Sequence, residues 1–248
     1  LHCKVIYVTV KCFDDAYAIF EVLNAKGKDL SPIDIIKNSL FSILDETEPV
    51  DFAEESWKKI KGKTVGKCDI QTFYRHYWLS KYGYSTVKKL VKEFNDKVEK
   101  NQSEYAVFLK ELVKASEDYY KIVYPNKNDW SQPEEIDIYY ALEAYDIFDV
   151  TQVRIFLLAL FDVKRKKKIS HKQFVKVIKF LEQYHFAFNA ICSMRPSGLE
   201  RRYSSYARKL RMCKDKNETK KCIDELIDTL KDGLPAEEIF VSNFVNVR

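Results

Sequence analysis

The chain runs to 248 residues, 46% apolar and 32% charged, with a formal net charge of +5. Such a composition describes a globular protein with a sizeable core and excludes a disordered or fibrous chain. With only six Gly and six Pro, an all-β fold built on many tight turns is excluded as well, and helices are expected. The small positive excess biases the surface toward polyanions without establishing nucleic-acid binding, because lysines also serve solubility.

No stretch approaches the roughly 18 uncharged apolar residues of a membrane span, and the N-terminus lacks the order of a signal peptide. The six cysteines, Cys3, Cys12, Cys68, Cys192, Cys213 and Cys222, contain no C-x-x-C pair. No zinc-type ligand set is expected, and the thiols read as reduced in a cytoplasmic protein. Leu1 rather than Met at the first position suggests a piece of a longer chain.

In chain order, Cys3 to Val10 is rich in β-branched residues and reads as one short strand, which cannot pair with itself. From Asp14 the spacing turns helical: Ala16, Ile19, Phe20 and Leu23 share a face, and Gly27 follows as a stop. Ser31, Pro32 and Asp34 make a clear helix start, with Ser31 as cap and Ile33, Ile36, Leu40 and Phe41 as the buried stripe down to Leu44. Further helices are expected over about 51–61, 69–82, 86–100 and 103–123, then 134–147 and 151–163. The Pro125 to Pro133 stretch is the best loop or boundary between them. A long helix is expected over 170–191, with Ser170 and Gln173 in capping-box spacing. Two more follow at about 198–213 and 217–232, and a short turn near Ala236 to Phe240 leads to the end. The expected fold is all-α: an irregular multi-helix bundle with one short N-terminal strand remnant. Residues 1–13 would be the last strand of a truncated N-terminal domain, 14–124 a first helical subdomain and 134–248 a second.

Few residues suggest chemistry. The four histidines, His2, His76, His171 and His185, form no metal motif, and neither a phosphate-binding glycine loop nor a nucleophile elbow occurs. No catalytic residue is assigned. Paired acids such as Glu54-Glu55 suit helix N-termini. His76, inside Arg75-His76-Tyr77-Trp78, reads more readily as a hydrogen-bonded packing residue than as a ligand. Two basic clusters stand out. Lys164-Arg165-Lys166-Lys167-Lys168 lies between two apolar helices, and a solvated loop explains it more readily than phosphate binding does. Arg195, Arg201, Arg202, Arg208 and Arg211, interleaved with Tyr203 and Tyr206, form the stronger candidate for DNA contact, since a helix holds its arginines in register whereas a loop must be ordered on binding.

The block Phe20-Glu21-Val22-Leu23-Asn24-Ala25-Lys26-Gly27-Lys28-Asp29-Leu30-Ser31-Pro32-Ile33-Asp34-Ile35-Ile36-Lys37-Asn38 resembles the segment following the ParB/sulfiredoxin-like domain of GmrSD-type modification-dependent restriction proteins. Phe73 to Lys81, Ile191 to Arg208 and Phe240 to Phe244 are similar to later blocks of the same helical region. The family's D-G-Q-Q-R motif and its His-Asn-His nuclease motif are both absent from this sequence. The resemblance thus implies a helical middle module of an anti-phage enzyme, without the nucleotide-binding and nuclease domains and inactive as it stands. NTP and divalent metal are implied for the parent protein and no cofactor for this chain. Independently of the resemblance, Asn24, Gly27, Lys37 and Asn38 are small or polar groups at a helix end and near the next helix's positive N-terminus. With His76 they are candidates for completing a nucleotide pocket or coupling it to the nuclease, although helix punctuation explains Asn24 and Gly27 equally well. DNA is then the expected partner and no membrane is involved. The rival reading is a non-enzymatic helical scaffold that binds a protein.

Overall fold

The computed structural model describes residue 9 and residues 31–44, 51–130, 132–133, 135–194 and 197–246. Apart from Thr9, the expected strand and the helix from Asp14 lie outside these residues. Among the described residues there are eleven α-helices and no strand.

Five of the helices begin where a short polar side chain accepts from the free N–H groups of the first turn. In α1 (Pro32–Leu44), Ser31 donates its hydroxyl to Asp34 at 2.6 Å while its carbonyl accepts the first backbone bonds. Asp51 caps α2 (Phe52–Lys63), and Asp69 caps α3 (Ile70–Tyr82) by accepting from Gln71 and Thr72. The helix expected over 86–100 is divided: a 3-10 turn at Val87–Lys89 leads into α4 (Leu90–Lys97). It stops early because Asn101 is extended so that its side chain can cap α5 (Gln102–Val123).

A 3-10 turn, Lys127–Trp130, carries the loop to α6 (Ile136–Ile147), followed by α7 (Val153–Arg165). Ser170 caps α8 (His171–His185), and the expected 170–191 helix then widens into a π segment, Phe186–Ile191. Its wide turn is closed by Cys192 N–H to the Ala187 carbonyl at 3.1 Å. After it come α9 (Leu199–Met212), α10 (Lys216–Lys231, capped by Asp215) and α11 (Glu237–Asn246). The last corrects the expectation of a short turn at Ala236 to Phe240. Glu237 and Glu238 sit in its first turn, where acids favour a helix, and the Ala236 carbonyl accepts from Ile239 and Phe240.

At the centre lies α7. All residues from Val153 to Val163 are buried, polar Arg154 and Asp162 included, which is the pattern of a helix covered on every side. It packs against α3, α5, α8 and α9. Helices from both sides of the Pro125–Pro133 loop therefore share one core, running from Ile33 to Leu230. By contrast, α11 has no buried residue, and Ile239, Phe244 and Val245 are exposed on it. No described helix is long and apolar enough to cross a membrane.

Because Leu160 of α7 is wholly buried, Leu160→Ala is expected to lower unfolding free energy by about 2–5 kcal/mol, read as a shifted urea midpoint at unchanged slope.

Candidate polyanion cleft

Three polar clasps lock α9 onto α3. Glu200 takes both guanidinium nitrogens of Arg75, with Nη2 at 2.8 Å from Oε2. One turn on, the Ser204 hydroxyl donates to the Leu79 carbonyl at 2.7 Å. At the far end Arg211 Nε donates to the Ser80 carbonyl at 3.2 Å and Nη2 to the Ser80 hydroxyl at 3.1 Å.

That arrangement sorts the candidate arginines. A helix turns about 100° per residue, so positions seven apart fall within about 20° of one another. Arg201 and Arg208 share the exposed face, whereas Arg211 lines up with Ser204 and points inward. Arg201 lies 4.7 Å from the Tyr84 ring centroid, and half-buried Arg202 lies beside Gly233. Arg195 is outside the described residues. Tyr203 is fully buried and its hydroxyl is 2.8 Å from His185 Nε2, so it belongs to the core and is no stacking surface. The Tyr206 hydroxyl is taken up by Thr229 at 2.8 Å.

The Lys164–Lys168 run is no loose loop either. It closes α7: Lys168 N–H reaches the Val163 carbonyl at 2.9 Å, with Lys167 in the left-handed conformation at φ 57°. Lys164 donates to His171 Nδ1 at 3.0 Å, and Lys168 donates to the Cys213 carbonyl at 2.6 Å. Arg165 binds Asp162 at 2.7 Å and also Asp118, and Lys166 binds Asp162 at 2.8 Å. Its supposed ordering cost is therefore absent, and the two basic clusters are parts of one site.

That site is a cleft of about 340 Å³ between α3, α5, α7 and α9. Lys81, Lys114, Arg165, Lys166, Arg208 and Arg211 line it against Glu111, Asp118 and Asp162, six cations to three carboxylates and a formal excess of three positive charges. At its floor, buried Asp162 also meets Arg211 at 3.1 Å. Burial pushes the Asp162 carboxyl up, but Arg211, then Lys166 and Arg165, outweigh it and leave it below the usual carboxylate range. Exposed Lys114 and Arg208 have no carboxylate partner among the described residues. The arrangement suits an anion with several charges. Burial pushes the Cys68 and Cys222 thiols to about 12, which keeps them protonated. No cluster of three or more metal-ligating side chains lies among the described residues.

Three of the five nucleotide-pocket candidates lie among the described residues. Asn24 and Gly27 lie outside the described residues. On α1, Lys37 lies 4.8 Å from the Phe41 ring centroid, and Asn38 is half-buried beside it in sequence. His76 is buried in the core with Nδ1 2.8 Å from the Tyr119 hydroxyl, where burial and then the Arg154 charge lower its pKa to about 3. The sequence reading missed Lys114, Lys81 and Asp162, for which only the apolar run around Asp162 gave any signal. A scan of family models, a search of curated proteins and a search of solved structures each return no match.

Two measurements follow from these groups. Burial also lowers His185 to about 4. An unfolded histidine titrates near 6.5, so the unfolded state binds the extra protons between that value and 3–4. Stability is thus expected to be full above pH ~6.5 and to decline as pH falls, and His185→Gln should flatten the decline in pH-dependent urea melts. Asp162→Asn is expected to cost about 3–5 kcal/mol at pH 7, since it leaves buried cations uncompensated. The Asp162 contribution is complete above pH ~4 and fades only below it, so its loss in the variant separates from the histidine effect.

Proposed function

We propose that this chain is a helical coupling and DNA-contact module of an NTP-dependent, modification-dependent restriction endonuclease, working in the cytoplasm in anti-phage defence. The observation that carries the DNA half is the cleft, where five cations from four helices and Lys166 from the turn closing α7 face three carboxylates. Phosphates are the ligands that such a surplus suits, because each one neutralised releases condensed counterions. The restriction half rests on the resemblance of the Phe20–Asn38 block. On this reading the NTP and divalent metal belong to the nucleotide-binding and nuclease domains that the family joins to this helical region.

A protein-binding scaffold is the second reading, favoured by the exposed Ile239, Phe244 and Val245 of α11. Fluorescence anisotropy with labelled duplex DNA at two salt concentrations decides between them. Lys114→Gln with Arg208→Gln is expected to weaken binding across all sequences and to flatten the salt slope by about one unit per lost phosphate contact. Lys220→Gln with Lys221→Gln, exposed on α10, should leave affinity nearly unchanged. Equal losses in both variants, or no binding at low salt, would remove the DNA reading and favour the scaffold.

A further inference from the structure

A second cavity lies at the C-terminal end of α5, where the chain turns into the Pro125 loop. It is open, about 820 Å³ in volume, and is walled by the rings of Tyr120, Tyr124 and Tyr139. Three lysines, Lys63, Lys121 and Lys127, surround the rings, against the carboxylates of Glu117 and Asp129. None of these lysines belongs to an ion pair among the described residues. Lys63 instead sits 4.6 Å from the Tyr120 ring centroid. Beside Tyr139 on α6, Tyr140 is 53% exposed, with Lys127 6.0 Å from its ring.

The rings are held in place before any ligand arrives. Tyr124 accepts from Lys67 N–H at 2.6 Å and donates to the Val65 carbonyl at 2.9 Å. Gly66 makes this possible: its φ is +60°, and a Cβ there would lie 2.5 Å from the tyrosine oxygen. Tyr120 packs on Tyr124 with centroids 5.2 Å apart, and the Tyr139 hydroxyl is tied to Glu143 on its own helix. Fixed aromatic faces among unpaired lysines combine the two elements by which proteins take up unpaired strands, stacking for the bases and cations for the backbone.

We infer that this tyrosine–lysine surface binds single-stranded nucleic acid, stacking bases on Tyr120 and Tyr139 and placing phosphates near Lys63, Lys121 and Lys127. A duplex hides its base faces and would leave the rings unused. The inference does not require the cleft to bind duplex, although both sites share α5. Lys114 of the cleft and Lys121 of this surface are seven residues apart, two turns on one helix face, or about 10 Å. A strand held at one site can therefore continue to the other.

The test is anisotropy with a labelled oligothymidylate, an oligouridylate and an abasic strand of equal length. Both base-bearing strands are expected to bind more tightly than the abasic one; equal affinity for the two indicates base and phosphate recognition, and a preference for oligouridylate adds the 2′-hydroxyl. Tyr120→Leu and Tyr139→Leu should each weaken oligothymidylate binding about five-fold or more while leaving the abasic strand unaffected. Lys121→Gln should weaken all three. Circular dichroism melting checks each variant, and if Tyr120→Leu fails to fold, the rim residue Tyr139 carries the comparison alone. Equal affinity for abasic and base-bearing strands, or unchanged oligothymidylate binding in a folded Tyr139→Leu variant, would overturn the inference.

Discussion

The fold turns on one buried charge. Asp162 belongs to a helix covered on all sides, and a carboxylate withdrawn from water is costly unless cations and hydrogen-bond donors surround it. Arg165 and Lys166 reach it from the end of its own helix and Arg211 from α9. Arg165 passes the link on to Asp118 of α5. Satisfying this one group thus draws three helices together around the floor of the cleft. Cations outnumber carboxylates there because the groups gathered around Asp162 adjoin Lys81, Lys114 and Arg208 on the surrounding walls.

The two faces of α9 divide packing from solvent exposure. Glu200, Ser204 and Arg211 fasten it to α3, and Tyr203 and Ala207 bury into the core. Arg201 and Arg208 remain on the solvent side. A helix so firmly fastened on one side presents its remaining cations from a fixed platform, which is what positioning against a phosphate backbone requires.

Much of the helical plan was legible locally. Asp51, Asp69, Ser170 and the Ser31–Asp34 pair mark helix starts because capping needs only a short polar side chain and the next turn. The α7 core was legible in its unbroken apolar run. Two local features escaped. The π segment after His185 is accompanied by the His185 Nδ1 to Asn189 bond at 2.7 Å, which apolar spacing does not report. The helix at Glu237–Asn246 lacks the buried stripe that helix recognition relies on. The cleft itself was out of reach, since its halves lie far apart in sequence and meet only through tertiary packing. Even so, the inward turn of Arg211 follows from its seven-residue spacing to Ser204, and the cap-like closure of α7 follows from neither charge nor hydropathy.

The tethering of the Lys164–Lys168 turn bears on kinetics. Asp118, Asp162 and the Cys213 carbonyl already hold its side chains. On the proposed DNA-contact reading, an arriving polyanion would meet a finished surface and wait for no loop to settle. Capture is then governed by diffusional encounter, accelerated by the field of the clustered cations and slowed as salt screens it. Residence time is left to the contacts made after arrival.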